Sequence, residues 1–276
     1  MINREEPEMK RLALLAVSLL TLATGAAGEG MAPHPDFDHV KPQLPAGLHH
    51  PAVLVFSKAN GWQHDSRVAA SAAIDGLVKK HGWAIYATEN GAVFNPAQLK
   101  RFDVIVLNST TGDLFTPEQR DAFKAWILRG GRVVALHGAG GTNDQPWTWY
   151  TDTLIGGRFV THPRLQPATI RVEDPKSPIM QGVPQTWSWS DEWYVFDRNP
   201  RGPGTHVLAT VDETTYDPGT APRMGDHPII WTRCVGKGGV FFSAIGHTSE
   251  GYSDPAELSL IDGALAWAFD RKAAVC

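Results

Sequence analysis

The stretch 102–141 reads FDVIVLNSTTGDLFTPEQRDAFKAWILRGGRVVALHGAGG, and its pattern decides the fold. It begins and ends with apolar runs of strand length, FDVIVLN and RVVAL. Between them, Thr116, Pro117 and Gln119 form a capping-box pattern that predicts the start of a helix, and a glycine pair predicts its end. Strands that are apolar throughout are typical of a sheet covered on both faces, so this unit predicts two parallel strands joined by a helix.

The same pattern continues toward the N-terminus. An apolar run at 51–57 precedes a helical segment at Ser66–Lys80, and a further strand is predicted at 83–88. Together, the first half of the domain reads β-α-β-α-β-α-β. This order predicts an α/β protein with a flavodoxin-like, doubly wound and mostly parallel sheet that carries helices on both faces.

The second half is less regular, and some of its strands are expected to be antiparallel additions to the sheet. They are predicted at 168–172, 187–196, 205–211, 228–234 and 239–245. A last helix is predicted after Asp254, which is followed by a proline and, three residues on, by Glu257 in the pattern of a capping box. We therefore expect one α/β domain over 51–271.

The N-terminus has the features of an export signal. Lys10 and Arg11 precede an apolar run at 12–23 and then a group of small residues, which predicts a secretory signal peptide over 1–28. A dozen apolar residues are too few for a membrane anchor, which needs roughly 20. Four prolines within 29–50 predict an extended leader before the domain. We expect a periplasmic or secreted protein without membrane association after cleavage.

The composition excludes some classes of partner. The 276 residues are 42% hydrophobic, enough for one sizeable core, and 25 Lys+Arg against 29 Asp+Glu give a net charge of −4. No basic stripe is present, so nucleic acid is not an expected partner. Neither glycine-rich nucleotide motif is present, so no nucleotide is expected. The sequence does not indicate the oligomeric state or whether Cys234 and Cys276 pair.

Histidines follow the predicted strands at one edge of the sheet. In an open parallel sheet, ligands bind beyond the carboxyl ends of the strands. Three of the four strands predicted to end there are followed by His64, His137 and His247. Each one alone could be a hydrogen-bonded structural residue, but three imidazoles at one edge predict a shared site. Neighbours predicted to contact a substrate there are Asn60, Trp62, Ser109 and Thr110.

The irregular half adds two adjacent carboxylates, Asp191 and Glu192, within an aromatic stretch. On a continuous strand over 187–196 they would face opposite sides, so only one of them would enter the site. Glu192 is the preferred candidate and Asp191 the close alternative. Further candidate substrate contacts in this half are Arg158, His162, Trp193 and His227.

The turn after RVVAL excludes one kind of chemistry. In a class I glutamine amidotransferase, a cysteine in a G-x-C-x-G turn at this point is the nucleophile. This chain has Leu136-His137-Gly138-Ala139-Gly140 instead. With neither a thiol nor a hydroxyl in the turn, amidotransferase chemistry is not expected.

Several short motifs lie in a fixed order along the domain. They are GWQH at 61–64, LHGA at 136–139, GGRF at 156–159 with HP at 162–163, DEWY at 191–194, HPIIW at 227–231, and GGVFF at 238–242 leading to GHT at 246–248. In this order and spacing they resemble the ThuA-like (trehalose utilisation) domains, over about 51–270. The resemblance implies a class I glutamine amidotransferase-like fold without the cysteine. It also implies a link to the catabolism of trehalose and related disaccharides, including routes through 3-keto sugars.

Three functional hypotheses remain open at this stage. The first is an exported enzyme that hydrolyses, eliminates or isomerises a disaccharide, another glycoside or its 3-keto form by acid and base chemistry. The candidate acids, bases and orienting carboxylates are His64, His137, His247, Glu192 and Asp191. The second adds a divalent metal, zinc or similar, held by the three histidines. The third is a non-catalytic exported module that binds a small carbohydrate through histidines and tryptophans.

Overall fold

The computed structural model describes residues 29–141 and 145–272. Its strands are β1 (Gly30–Met31), β2 (Ala52–Phe56), β3 (Trp62–Gln63), β4 (Ala84–Thr88), β5 (Val104–Asn108), β6 (Arg132–Leu136), β7 (Phe159–Thr161), β8 (Gln166–Val172), β9 (Thr186–Asp191), β10 (Val195–Phe196), β11 (Thr205–Asp212), β12 (Pro228–Val235) and β13 (Gly238–Ser243). The α-helices are α1 (Ser66–Lys80), α2 (Pro96–Leu99), α3 (Pro117–Leu128) and α4 (Pro255–Phe269).

One large sheet organises the molecule, with the strand order β4-β2-β5-β6-β13-β12-β11-β8-β9. The first five strands in this order are mutually parallel, and the other four extend the sheet in antiparallel fashion. The parallel part has the flavodoxin-like order, in which the second strand of the α/β unit lies outside the first. The predicted α/β class is therefore confirmed. The expected antiparallel addition to the sheet comprises four strands.

Helices cover both faces of the parallel strands, which is why those strands are apolar throughout. On one face, Phe56 of β2 packs against Phe115, which contacts Phe123 of α3. On the other face, Asn108 of β5 donates to the Ser71 hydroxyl of α1. Every residue of β2, β5, β6 and β13 is buried. Each large apolar side chain buried in this way contributes about 1.5–3 kcal/mol.

The predicted capping boxes are present at the start of α3 and absent at the start of α4. At α3, the Thr116 hydroxyl accepts from the Gln119 backbone N–H and the Gln119 side chain accepts from the Thr116 N–H, as predicted. At α4, Asp254 caps the helix, but its own N–H donates to the Gly251 carbonyl. Glu257 therefore does not complete a capping box, and that prediction is wrong. Its carboxylate is fully buried and has no hydrogen-bond partner among the described residues.

The predicted strand over 187–196 is also wrong, because the chain leaves the large sheet after Asp191. β9 ends at Asp191, and the next strand, β10, pairs with β7 in a separate two-stranded sheet. The Asp191 carboxylate accepts the backbone N–H of Glu192, which turns the chain away from the edge of the sheet. The rule that adjacent side chains face opposite sides therefore does not apply to this pair.

The segment 29–50 lies against the domain. β1 pairs with β3 in antiparallel fashion, the Asp38 carboxylate accepts from Lys58 Nζ at 2.6 Å, and Leu48 is buried. None of the helices in the described ranges has the length and hydropathy to cross a bilayer. The predicted signal peptide over 1–28 and Cys276 lie outside the described residues.

Candidate active site

Three histidines from three parts of the chain converge at the carboxyl ends of the parallel strands. His64 follows β3, His137 follows β6 directly, and His247 lies in the loop after β13. The ring centroids are 4.6 Å apart for His64 and His137, and 5.5 Å apart for each of the other two pairs. The structure thus brings together the three imidazoles that the sequence places at this edge.

His137 occupies a strained turn between β6 and a short 3-10 helix. Its backbone φ is +45°, a left-handed conformation that is uncommon for any residue except glycine, and its side chain is fully buried. Nδ1 lies 2.8 Å from the Ala244 carbonyl oxygen, which can only accept, so Nδ1 carries the proton. Nε2 accepts from the Tyr194 hydroxyl at 2.8 Å. An imidazole therefore stands on a strand-to-helix turn of the kind that carries the nucleophile in α/β-hydrolases.

Glu192 lies among the imidazoles. Its Oε2 is 3.2 Å from His247 Nδ1 and 3.8 Å from His137 Nε2, and its Oε1 is 3.5 Å from His162 Nε2. His162 reaches this position because it follows β7, the partner strand of β10. A single carboxylate therefore faces three imidazoles.

Asp191 contacts both His137 and the backbone just before His247. Its Oδ1 is 3.8 Å from His137 Nδ1, and its Oδ2 accepts the backbone N–H of Gly246 at 2.7 Å. Gly246 has φ +131°, and a Cβ atom there would lie 2.4 Å from the Tyr252 hydroxyl, so only glycine fits. Burial raises the pKa of Asp191 to about 6. Both carboxylates of the pair thus lie at the site, in different roles.

Burial and neighbouring charges shift the pKa values of the cluster in two ways. Burial, together with the nearby histidines, lowers the pKa of His64 to about 2, and burial lowers that of His137 to about 3. Burial also opposes the charged form of His247, but Glu192 outweighs it and the pKa of His247 lies above its usual value. Burial likewise opposes the charged form of Glu192, yet its histidine neighbours bring its pKa below the usual value. The site therefore combines two imidazoles that stay neutral near neutral pH, His64 and His137, with a third, His247, whose charged form Glu192 favours.

The segment before β1 also reaches the site. Glu29 Oε1 lies 3.4 Å from His247 Nε2 and accepts from Trp62 Nε1 at 3.3 Å. The pairing of β1 with β3 fixes this approach, since Gly30 lies opposite Gln63, next to His64. Trp62 is 43% exposed and offers an aromatic face beside the cluster.

Ser109 and Thr110 lie beneath the cluster. Ser109 is fully buried and has a backbone φ of +46°. Its carbonyl oxygen packs closely on Gly138: a Cβ atom at Gly138 would lie 3.1 Å from this oxygen and 3.1 Å from the His64 ring. Thr110 is 1% exposed, and its hydroxyl is buried. Both residues shape the floor, and neither offers an exposed hydroxyl.

Four other predicted contacts lie apart from the cluster, each with structural partners. Asn60 donates to two backbone carbonyls, and the exposed Arg158 lies 3.7 Å from Asp152. Trp193 is 1% exposed and its indole donates to a backbone carbonyl, so it has no free face for stacking. His227 is buried, with Nδ1 2.9 Å from Glu213 Oε1 and Nε2 donating to the Tyr194 carbonyl.

Three residues of the site were not among the sequence candidates. Tyr194 contacts His137 and lies two residues after Glu192 in the DEWY motif, a position that could have indicated it. Tyr252 lies against Gly246, and burial raises its pKa well above the usual value. Glu29 precedes the domain, and no sequence pattern connects it with a strand end.

The cluster also has the composition of a metal site. His64, His137, His247 and Glu192 each offer one ligand atom, and these atoms all lie within 4.8 Å of one another. Imidazole nitrogens with one carboxylate oxygen are ligands that divalent transition metals accept.

The domain resembles proteins of one family throughout its length. A family model described as ThuA, trehalose utilisation, matches residues 52–268. Among solved structures, a ThuA-like protein from Bacteroides uniformis has a TM-score of 0.69 at 22% identity, covering 83% of this chain and 95% of that one. A ThuA-like protein from Parabacteroides merdae has a TM-score of 0.61 at 19% identity, covering 80% and 90%. These two likenesses concern the fold alone, and no curated protein matches the sequence. Because the family model covers most of the residues, the chain belongs to the ThuA family.

Proposed function

We propose that this protein is an exported enzyme of carbohydrate metabolism that acts on a disaccharide or another glycoside, or on its 3-keto form. The family description supports a carbohydrate-related role. The observation that carries the enzymatic part is the convergence of three imidazoles and the Glu192 carboxylate at the carboxyl ends of the parallel strands. A pure recognition site has no need for so many proton-transferring groups in contact with one another.

The arrangement favours proton transfer over covalent catalysis. The turn at His137 presents an imidazole, and the nearby Ser109 and Thr110 side chains are buried, so no hydroxyl or thiol of these strand ends is placed as a nucleophile. Proton transfer can serve all three candidate reactions, since an inverting hydrolysis needs a base and an acid on either side of the scissile bond, and elimination and isomerisation need them at an activated carbon.

A 3-keto glycoside makes such chemistry accessible with ordinary side chains. The carbonyl at C3 acidifies the hydrogen at C2, so a carboxylate such as Glu192 can remove it. The C1–O bond then breaks, a C1=C2 double bond forms, and an acid such as His162 or His247 protonates the departing oxygen. Addition of water to the double bond in a later step completes a net hydrolysis. The exposed face of Trp62 is available to stack on the sugar ring.

Turnover of defined sugars tests the proposal. The purified protein is incubated with trehalose, other glucosides and their enzymatically prepared 3-keto forms, and the products are followed by mass spectrometry and NMR. We expect the keto forms to be consumed faster than the parent sugars. If every sugar is left unchanged while one of them binds saturably, the enzymatic proposal fails and a sugar-binding module takes its place.

Export is tested separately, because it rests on the N-terminal sequence. The full chain is produced in a bacterial host, the cells are fractionated, and the N-terminus of the protein is determined by mass spectrometry. We expect periplasmic or secreted material that begins near Glu29. Material that remains in the cytoplasm with an intact N-terminus would contradict export without affecting the enzymatic proposal.

A further inference from the structure

We propose that His64, His137 and His247 bind a divalent transition-metal ion, with zinc the best fit to the donor set, while the Glu192 carboxylate lies beside the ion and stays free to act as a base. The inference rests on the proposed function only for the role of the ion, since the site itself can be tested without any substrate. Within residues 29–141 and 145–272, no other group of three or more histidine, cysteine or carboxylate ligands converges in this way.

The spacing of the ligand atoms is close to what an ion requires. The four candidate atoms lie within 4.8 Å of one another. Around a tetrahedral zinc ion with bonds of about 2.0–2.1 Å, ligand atoms lie roughly 3.3 Å apart, so side-chain shifts on the order of 1 Å are sufficient. Three nitrogens with one carboxylate oxygen also distinguish this site from magnesium and calcium sites, which are built from oxygen ligands.

Two of the imidazoles carry buried nitrogens that the protein itself does not satisfy. His64 Nδ1 and His247 Nδ1 are inaccessible to solvent and have no hydrogen-bond partner among the described residues. The 3.2 Å contact of His247 Nδ1 with Glu192 lacks the alignment of a hydrogen bond. A buried nitrogen left unpaired destabilises the fold, and coordination to an ion would remove that cost.

The partners of the other ring nitrogens are a backbone carbonyl and a carboxylate, which commonly orient histidine ligands of metals. His137 donates Nδ1–H to the Ala244 carbonyl, which leaves the lone pair of Nε2 directed into the cluster. His247 Nε2 faces the Glu29 carboxylate at 3.4 Å, so its Nδ1 is the nitrogen left for an ion. The Tyr194 hydroxyl, which now donates to His137 Nε2, competes with an ion for that lone pair and has to turn away when the ion binds.

A bound ion would polarise a carbonyl or hydroxyl oxygen of the sugar. The imidazoles then serve as ligands, and proton transfer is left to the Glu192 carboxylate and to His162, which lies 3.5 Å from it. The metal site therefore narrows the set of residues that can act as acid and base.

Metal binding is measured on protein purified without a histidine tag. Elemental analysis gives the metal content as isolated. The metal-free protein, prepared with a chelator, is then titrated with Co²⁺ while the visible absorption of four-coordinate cobalt is followed, and Zn²⁺ is added in competition. We expect one equivalent of Co²⁺, displaced by one equivalent of Zn²⁺.

Matched variants show which residues hold the ion. We expect His64→Ala and His247→Ala to weaken binding on the order of 100-fold. His206→Ala is the control, because this exposed histidine pairs with Asp174 far from the cluster and its loss should leave binding unchanged. Tyr194→Phe should bind Co²⁺ at least as tightly as the parent, since the competing hydroxyl is gone. Circular dichroism confirms that each variant is folded.

The possible outcomes separate this inference from the proposed function. An absence of stoichiometric Co²⁺ and Zn²⁺ binding, or equal binding by the parent and His64→Ala, overturns the metal site. Turnover that persists undiminished in the metal-free protein overturns the role of the ion while supporting the enzyme. Tight, cluster-dependent binding without any turnover supports the site and contradicts the enzyme.

Discussion

Two buried histidine–carboxylate groups lie on either side of Tyr194, and they are built differently. The Tyr194 hydroxyl donates to His137 in the cluster, and its backbone carbonyl accepts from His227. His227 uses both ring nitrogens, since its other nitrogen lies 2.9 Å from Glu213. Glu213 in turn accepts two backbone N–H groups. In the cluster, by contrast, His64 and His247 each have a buried nitrogen that finds no hydrogen-bond partner within 29–141 and 145–272.

The difference indicates which histidines are structural and which are available for chemistry. A fully hydrogen-bonded buried pair stabilises the fold and has nothing left to offer a ligand. Nitrogens left without partners destabilise the fold, and their presence is expected where a ligand supplies the missing contact. Both groups are buried and have a carboxylate nearby. They differ in whether each ring nitrogen has a hydrogen-bond partner.

The largest effect that tests this comparison is a loss of catalytic activity when Glu192 of the cluster is changed. Glu192→Gln keeps the shape of the side chain but removes its charge and basicity, so we expect turnover to fall about 10²- to 10⁴-fold. Stability, measured by urea unfolding, should fall much less than turnover, by about 1–2 kcal/mol, because the amide keeps the contact with His247 and loses only the attraction between charges. Steady-state kinetics on the sugar consumed fastest provide the measurement. A Glu192→Gln enzyme with parental kcat would show that Glu192 is not the base.

The next effect is on stability, at the structural pair. His227→Ala leaves the Glu213 carboxylate and the Tyr194 carbonyl without their partner, so we expect the free energy of unfolding to fall by about 3 kcal/mol. His64→Ala removes an equally buried ring that has fewer bonds to lose, and should cost at least about 1 kcal/mol less. Urea unfolding of the two variants side by side tests this. Equal losses would mean that the comparison between the two groups does not hold.

A pH-dependent effect is expected at Glu257, a third buried carboxyl, which has no hydrogen-bond partner in the part of the chain that the structure describes. Burial, with smaller contributions from Asp191 and Asp254, raises the pKa of Glu257 well above its usual 4.5. The folded protein therefore keeps this proton at pH values where the unfolded chain loses it, and the contribution of Glu257 to stability declines as the pH rises above about 4.5.

The isosteric variant Glu257→Gln should remove that decline. Compared with the parent, we expect no gain at pH 4 and a higher free energy of unfolding by about 1 kcal/mol or more at pH 8. Urea unfolding of both proteins at several pH values provides the measurement. A difference that does not vary with pH would contradict the assignment of a raised pKa to this group.

The smallest effect is expected at Arg158, which the sequence pattern placed among the substrate contacts. Its guanidinium lies 3.7 Å from Asp152 at the surface, and exposed ion pairs contribute at most about 1 kcal/mol. Arg158→Ala should therefore leave turnover unchanged and alter the free energy of unfolding by about 0.5 kcal/mol or less. A large loss of activity would bring this residue back into the site.

Much of the fold could be predicted because its signals are local. The fully apolar strands β2, β5 and β6, the capping box of α3 and the position of α1 all depend on short stretches of sequence. The three histidines of the cluster could be predicted for the same reason, since each follows a strand whose carboxyl end must lie at one edge of a parallel sheet.

The remaining features depend on contacts that are distant in sequence. The break after Asp191 depends on the Gly246 N–H, which stabilises the carboxylate from 55 residues away. The structural role of His227 depends on Glu213 and Tyr194, and residue type alone does not distinguish it from His137. The buried position of Glu257 could not be inferred, because the same spacing from Asp254 is found in ordinary capping boxes.

The approach of Glu29 to His247 has a consequence for how the protein is produced and purified. A polyhistidine tag fused directly before Glu29 would lead into a residue whose carboxylate lies 3.4 Å from His247 Nε2, and it would bring further imidazoles close to the cluster. Arg271, at the other end of the described chain, donates to the carbonyls of Asp103 and Gly130, which precede β5 and β6 at the opposite edge of the sheet. A tag on the C-terminal side would therefore attach far from the histidine cluster, whereas measurements on protein tagged at the N-terminal side would report on the tag as well as on the site.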